Sequence, residues 1–561
     1  MKLLKWIIKV FKSYTYADKI ISVFCVLAFL LMIVKMMVFP YGFFGFGVSD
    51  TYAEGIVARN GIQNINPLFV DYNDADREVS SLVFSGLMKY DPSKKAVIDD
   101  MGTMTLNESK TEYTFVIKTG VKWHDGKDFS VDDVYFTYHD LVMDKDFPNE
   151  ILKANFDGVT VEKIDNKTIK FKLLKPNIFF TTNLTTGILP KHLLEGVKSY
   201  DLLQNTFNKL PVGTGPYMVT SPVESFPDGR SQITLTINPY YYNKISEITN
   251  LRIIAYPTAD LLMENISSYN ASPRVTGKVA DEFRANDRFK LLSYELPQYT
   301  AVFFNMAQAP IKDNKKLRIA LQKAIDKDKL VGENGILKDM ARVDTPMIDL
   351  DQKAWVSASS KAEAEVALKD AGYTFSREKL ENMRYGKDGN PLKLNLIARL
   401  YDEGTPQYEE AKAVVGFLQF SWEEVGIGIE VEFLSQDDFK TRVMTRKYDI
   451  LFVGQSLGYN LDTYSFWHSS QANATGQNFS NYKSFAVDSL IEDIRSVFNQ
   501  EKKDKEVAQL AGFIKEDVPA VFLYRPVYYY ATDEKVSGIA MSGATFTSDR
   551  FFNIGEWKFE R

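Results

Sequence analysis

The stretch YTFVIKTGVKWHDGKDFSVDDVYFTY, Tyr113 to Tyr138, decides how the rest of the chain is read. Tyr113, Phe115 and Ile117 alternate with Thr114, Val116 and Lys118, a period of two that predicts a strand buried on one face and ended by Gly120. His124-Asp125-Gly126 then supplies a turn, because Asp bonds its own backbone and Gly accepts positive φ, with Trp123 large enough to anchor it. Ser130 opens a helix, and Asp133 three residues on completes a capping-box-like pair before the apolar Val134, Tyr135 and Tyr138.

Working outward, 561 residues are too many for one core, so two or three globular units are expected. Hydrophobic residues at 45% and aromatics at 13% supply the material for them. Cys25 is the only cysteine, which excludes an internal disulfide or any multi-thiolate metal site within one chain. Residues 1–39 carry six lysines against one aspartate, net +5, so a whole-chain charge of −6 leaves −11 on the remainder. An acidic body repels phosphate backbones, which excludes nucleic acid as a partner.

The basic end has a different explanation. Lys2, Lys5, Lys9, Lys12 and Lys19 precede Ile20 to Phe39, twenty residues whose only charge is Lys35. As a helix that length spans roughly 30 Å, a bilayer core. The lysine excess before the span puts the amino terminus in the cytoplasm and everything after Pro40 outside. A cleaved signal peptide competes, but no small-x-small site follows the span, which favours an uncleaved anchor. Phe24 occupies the place before Cys25 where a lipoprotein signal carries a small residue. Pro40 to Asp50, broken by Gly42, Gly45 and Gly47, reads as a tether.

Several further blocks join the opening stretch in a recognisable order. INPLF from Ile65, VFSGLMKYD from Val83, ILPKHLLE from Ile188, PVGTGPYMV from Pro211, NPYYYN from Asn238, FFNMAQAPIKDNKKLRIALQKAIDKDKLV from Phe303 and GFLQFSWEEVGIGIEVE from Gly416 follow one another. With KTGVKWHDGKDFSVDDVYFTY they resemble the family 5 extracellular solute-binding proteins, the peptide, dipeptide and nickel receptors of ABC importers, over about Glu54 to Val536. The resemblance implies an α/β, three-lobed venus-flytrap fold of the periplasmic-binding-protein type II class with mixed sheets, preceded here by the transmembrane helix. The implied organisation is a cytoplasmic segment 1–19, an anchor 20–39 and a linker 40–51. Lobe I comprises 52–80, 213–299 and 531–561, lobe II 81–212 and lobe III 300–530.

Local patterns fill in that outline. Ser80 to Lys89 reads as a helix, Tyr90 to Tyr113 as turn-rich connection, and Val159 to Leu173 as a hairpin about Asp165-Asn166. Ala301 to Asn305, Ile429 to Phe433, Tyr448 to Val453 and Val518 to Tyr530 read as strands. Leu317 to Leu330, Ala362 to Ala371 and Glu409 to Val425 read as amphipathic helices. The acidic run Asp71-Tyr72-Asn73-Asp74-Ala75-Asp76 fails EF-hand spacing and reads as a solvated loop.

Gly454-Gln455-Ser456-Leu457-Gly458 matches the nucleophile-elbow pattern G-x-S-x-G after a strand. The helix that must follow such a serine is missing, and His468 is the only histidine downstream, so a serine hydrolase at Ser456 is a remote alternative and no enzyme is expected. The resemblance instead implies that this strand end offers its backbone to an extended oligopeptide, the expected ligand. The implied contacts are Gln455, Ser456, Leu457, Gly458 and Tyr459; Trp467, in SFWHSSQ, reads as a stacking wall, with Tyr459 and Tyr72 as further aromatic candidates. An aspartate that holds the peptide amine in several relatives falls at Gly458, so Asp462, Asp71 or neither takes that part. The four histidines, 124, 139, 192 and 468, show no ligand spacing, and no metal or cofactor is expected. The resemblance further implies a monomer that delivers its ligand to ABC permease subunits at the cytoplasmic membrane. A sugar or metal-chelate receptor, or a surface sensor without permease, stands as the alternative.

Overall fold

The computed structural model describes Thr15 and residues 51–560, apart from 71–72, 333, 377–381, 404 and 460. Among the described residues no helix is long and apolar enough to cross a membrane. The expected anchor, Ile20 to Phe39, and the segments either side of it lie outside them.

One 14-residue strand, Ala520–Asp533, organises the molecule. Its first half pairs antiparallel with Gln298–Phe304, and its second half with Phe289–Glu295 and Ala271–Val275, so it runs through a 13-stranded sheet from one half to the other. Beyond Gln298–Phe304 lie Ile450–Ser456, Lys393–Arg399 and Gly428–Leu434; beyond Ala271–Val275 lie Thr51–Val57, Asn250–Tyr256, Ser231–Ile237 and Tyr217–Val219. Parallel and antiparallel neighbours mix, and helices such as Pro406–Glu423, Phe485–Ser496 and Gln500–Asp517 cover the former half. The architecture is therefore mixed α/β, with each strand's alternating apolar face turned to a core.

A separate four-stranded antiparallel sheet carries the opening stretch, in the order Gly102–Leu106, Glu112–Ile117, Thr168–Leu173, Val159–Lys163. The local expectations there hold. Gly126 has φ +83°, its amide bonds to the Trp123 carbonyl at 2.8 Å, and the Trp123 side chain is fully buried. The Asp133 carboxylate accepts from the Ser130 amide at 2.8 Å, at the start of helix Val131–Tyr135.

Other expectations are corrected. The helix expected over Ser80 to Lys89 is Asp74–Val83, and the chain is already a strand at Met88–Asp91. Asn73 caps it by accepting from Ala75 at 3.1 Å, and Asp74 and Asp76 fall in its first turn, where the helix dipole favours anions. Asp76 is nearly buried, accepts from the Gln63 amide at 2.7 Å, and has its carboxyl pushed up to about 6 by burial, so this part of the acidic run is not a solvated loop. The helix expected from Leu317 to Leu330 breaks into Lys315–Lys323 and Lys327–Leu330, because Asp326 caps the second piece by accepting from Asp328 at 3.2 Å. Tyr90 to Tyr113 holds two further strands, Ala96–Asp99 and Gly102–Leu106.

The two crossings between the four-stranded sheet and the large sheet run side by side. A Cβ on Gly213 would lie 1.9 Å from the Val83 carbonyl oxygen and one on Gly215 2.4 Å from that of Leu82, and the Gly215 amide donates to Val83 at 2.8 Å. Only glycine allows so close an approach. His124 from the opening stretch locks the same crossing: its Nδ1 accepts from the Gly213 amide at 3.1 Å and its own amide donates to Gly213 at 2.9 Å. Burial pushes its imidazole down to about 4, in keeping with a neutral ring that accepts.

Candidate functional site

The strand Ile450–Ser456 has one paired and one open edge. On one side it matches Gln298–Phe304 residue for residue, with Gln298 opposite Ser456 and Thr300 opposite Gly454. On the other side Lys393–Arg399 pairs only with Ile450 and Leu451, and its partnership stops there.

The ladder's alternation decides which groups face the open edge. The Leu457 amide donates to the Pro297 carbonyl at 2.8 Å, so Leu457 and Pro297 form a bonded pair. In an antiparallel ladder bonded and unbonded pairs alternate, which makes Gln455–Tyr299 bonded and Ser456–Gln298 and Gly454–Thr300 unbonded. The N–H and C=O groups of Gly454 and Ser456 therefore point away from Gln298–Phe304, toward the unpaired side. Both residues are exposed, whereas Gln455 between them is buried.

The same parity shapes the surface beside that edge. Gly454, Thr300 and Tyr524 stand in one row across three strands, the first without a side chain and the second with a short one. Nothing lies closer to a Cβ built on Gly454 than the Tyr299 carbonyl oxygen at 3.6 Å. The row ends at Tyr524, whose hydroxyl donates to Glu410 at 2.7 Å, and burial raises the Glu410 carboxyl. Parallel to it, Gln298 donates to the Tyr528 hydroxyl at 2.8 Å. The sheet face beside the edge is thus low at Gly454 and carries the polar pairs Tyr524–Glu410 and Gln298–Tyr528. Glu410, Tyr524, Gln298 and Tyr528 carried no sequence signal, because they belong to one helix and two strands that only the register brings together.

The expected site residues fall in different places. Asp71 and Tyr72 lie outside the described residues. Gln455 holds the strand from behind, accepting from the Tyr299 hydroxyl at 2.7 Å and donating to the Gln477 carbonyl at 3.1 Å. Leu457 is buried, and Gly458 turns the chain at φ +73° with nothing within 4 Å of a Cβ built there. Tyr459 stacks on Tyr90 at 4.6 Å and donates to Asp549 at 2.8 Å, fastening the strand end to the carboxyl-terminal segment. Burial pushes the Asp549 carboxyl up to about 6, while amides of Thr545 and Phe546 donate to it at 2.8 Å. Asp462 pairs with Arg495 at 3.1 Å and accepts from the Tyr464 amide at 3.0 Å. Trp467 is packed in the core, 1% exposed, against Phe303 and Phe522.

For the nucleophile reading, the chain after Ser456 continues as loop until the short helix Tyr464–Trp467. His468 is engaged elsewhere, with Nδ1 2.8 Å from the Ser470 hydroxyl and Nε2 3.7 Å from Glu492. Among the described residues no three His, Cys, Asp or Glu side chains gather as metal ligands.

The comparisons agree with this architecture. The model of bacterial extracellular solute-binding proteins, family 5 (Middle), matches residues 98–477. The oligopeptide-binding protein AppA of Bacillus subtilis is 27% identical over 490 residues, 83% of this chain and 85% of that protein. Di/tripeptide-binding protein 1 of Pseudomonas aeruginosa is 21% identical over 495 residues, 82% of this chain and 87% of that protein. Among solved structures, Bacillus subtilis AppA with a nonapeptide matches at TM-score 0.72 and 24% identity, covering 91% of this chain and 99% of that one. NikZ from Campylobacter jejuni with Ni(L-His) matches at TM-score 0.74 and 24% identity, covering 91% and 100%. The fold is thus shared by a peptide binder and a nickel-chelate binder. The chain belongs to family 5 of the bacterial extracellular solute-binding proteins, which bind substrates and are not enzymes.

Proposed function

We propose that this protein captures oligopeptides for an ABC importer, binding the peptide in extended form along the open edge of Ile450–Ser456. The observation that carries the reading is the outward N–H and C=O pair on each of Gly454 and Ser456. An unpaired strand edge bonds a peptide main chain of any sequence, and the sheet face beside it meets alternate side chains. A hydroxylated sugar or a compact chelate makes little use of that repeating two-residue pattern. The peptide-binding relatives support the same choice.

In this reading the four-stranded sheet unit, 81–212, is lobe II; 300–530 is lobe III; and 52–80, 213–299 and 531–561 form lobe I. Two lobes close on the ligand, which binds the closed state more tightly because both sides are satisfied only there. The protein is held as a monomer outside the cytoplasmic membrane by Ile20 to Phe39, amino terminus inside, and hands its peptide to permease subunits. The lysines that precede the span support that orientation.

The test is thermal unfolding of the full chain in detergent against di- to nonapeptides, sugars and Ni²⁺ chelates. A ligand at a hundredfold excess over its dissociation constant stabilises by about 2.7 kcal/mol. A shift with peptides supports the reading. A shift with a sugar or chelate alone discards the peptide while keeping the family.

A further inference from the structure

Lobes II and III are joined at the mouth by a short segment of one and the carboxyl end of a helix of the other. The helix Phe485–Ser496 belongs to lobe III, and its last carbonyls have no partner within the helix. The Ile178 amide, from lobe II, donates to one of them, the Arg495 carbonyl, at 2.7 Å. Around that bond the Ser496 hydroxyl, which donates to the Glu492 carbonyl at 3.2 Å, lies 3.5 Å from the Pro176 carbonyl, and Lys175 lies 3.6 Å from the Glu492 carboxylate. Lys110, also from lobe II, sits 5.6 Å above the ring of Phe498. Two cations thus stand at the end of the helix whose dipole favours them.

The segment that reaches across is firmly held on its own side. Tyr113 donates to the Asn177 carbonyl at 2.7 Å, and the Asn177 side chain accepts from the Phe179 amide at 3.0 Å. Neighbouring rings then anchor in opposite directions. Phe180 packs into the lobe II core, 5.1 Å from Tyr113 and 5.8 Å from Phe171, while Phe179 packs against the core of lobe III. With the lobe bounds of the proposed function, lobes II and III are linked covalently only through lobe I, and an opening of the mouth would exchange these contacts for water.

We propose that lobe II caps this helix of lobe III in trans, and that Lys175, Ile178 and Phe179 are positioning residues that set the fraction of molecules closed, and through it the apparent affinity. Apparent affinity scales with the population of the binding-competent state, so a residue that touches no ligand tunes capture. The inference rests on lobe closure and not on the ligand being a peptide.

Cys25 is the only cysteine, so a Cys25→Ser background carrying Ile164→Cys and Phe420→Cys accepts one donor–acceptor dye pair. Those two positions are exposed and lie on lobes II and III. Single-molecule energy transfer on the full chain in detergent, without ligand, reads the closed-to-open ratio. Lys175→Glu is expected to lower that ratio roughly two- to fivefold, the range of an exposed ion pair. Phe179→Ala is expected to lower it at least as far, and the exchanged pair Lys175→Glu with Glu492→Lys to restore it. Distance distributions of Lys175→Glu and Phe179→Ala that superimpose on the parent would overturn the proposal, as would an opening that the exchanged pair does not recover. Because no ligand is added, failure here leaves the peptide reading standing, and failure of peptide binding leaves this one.

Discussion

Gly454 stands opposite Thr300 as a residue pair that exchanges no hydrogen bond, and the backbone groups of Gly454 turn to the unpaired side of the sheet. Two residues on, Ser456 repeats the arrangement opposite Gln298. A binding edge two residues long follows from the ladder's parity, and the side chains it needs are small ones. That explains why glycine and serine, and no cluster of charged residues, mark the centre of the candidate site.

If the edge binds main chain, removing one donor weakens the ligand without loosening the strand. Ser456→Pro deletes an amide that the ladder does not use, and proline is tolerated on an edge. We expect peptide affinity to fall about tenfold, one lost hydrogen bond with an orphaned partner, and stability to change by under about 1 kcal/mol. Isothermal titration beside urea unfolding checks both halves.

Glycine substitutions separate the crossing from the open edge. Gly213→Ala puts a Cβ 1.9 Å from the Val83 carbonyl oxygen, so the two adjacent crossings must move apart. A cost toward the top of the roughly 1 to 3 kcal/mol typical of overpacking is expected in urea unfolding. Gly454→Ala meets nothing nearer than 3.6 Å and should leave stability alone while lowering peptide affinity.

Arg550 is buried between Glu54 and Glu78, bonding the former through two nitrogens and the latter at 2.5 Å. It ties the first strand, the helix Asp74–Val83 and the carboxyl-terminal segment together, with the Tyr530 hydroxyl donating to Glu54. Arg550→Met strands two carboxylates in the core and should cost about 3 to 5 kcal/mol at neutral pH. Burial already raises the Glu78 carboxyl. A raised carboxyl contributes its stability at low pH and loses it as pH rises, so the variant should be relatively less impaired near pH 5 than near pH 8. Unfolding midpoints at the two pH values decide it.

His124 has the opposite sign. Its folded value, about 4, lies below the ordinary 6.5, so the unfolded chain takes up a proton that the folded one refuses. Stability should fall as pH drops from about 6.5 to about 4, by about 3 kcal/mol from this group alone. Asp76 and Asp549, both pushed up to about 6 by burial, gain in part of the same window, so the comparison has to be between proteins. His124→Asn, whose amide oxygen still accepts from Gly213, should lack this acid-side loss when its urea midpoints are plotted against those of the parent.

Local features were legible in the sequence because their causes are local. The Ser130–Asp133 box and the turn at Gly126 need only neighbours within three residues, and both stand as expected. The start of the helix Asp74–Val83 was missed because an acidic run looks the same solvated or as a first turn, and Asn73 decides it. Arg550 and Glu54 meet across 496 residues, and no periodicity announces that. The G-x-S-x-G run was visible, but its meaning was not: which amides face outward depends on pairing register, a property of two strands rather than one.

The most direct measurement is residue-resolved hydrogen exchange of the full chain with and without a mixture of oligopeptides. The account predicts that the amides of Gly454 and Ser456 slow at least about tenfold on binding, as new main-chain bonds form, while those of Val453 and Gln455, already bonded to the neighbouring strand, stay as they were. Peptide binding that leaves Gly454 and Ser456 exchanging at their original rates would contradict it.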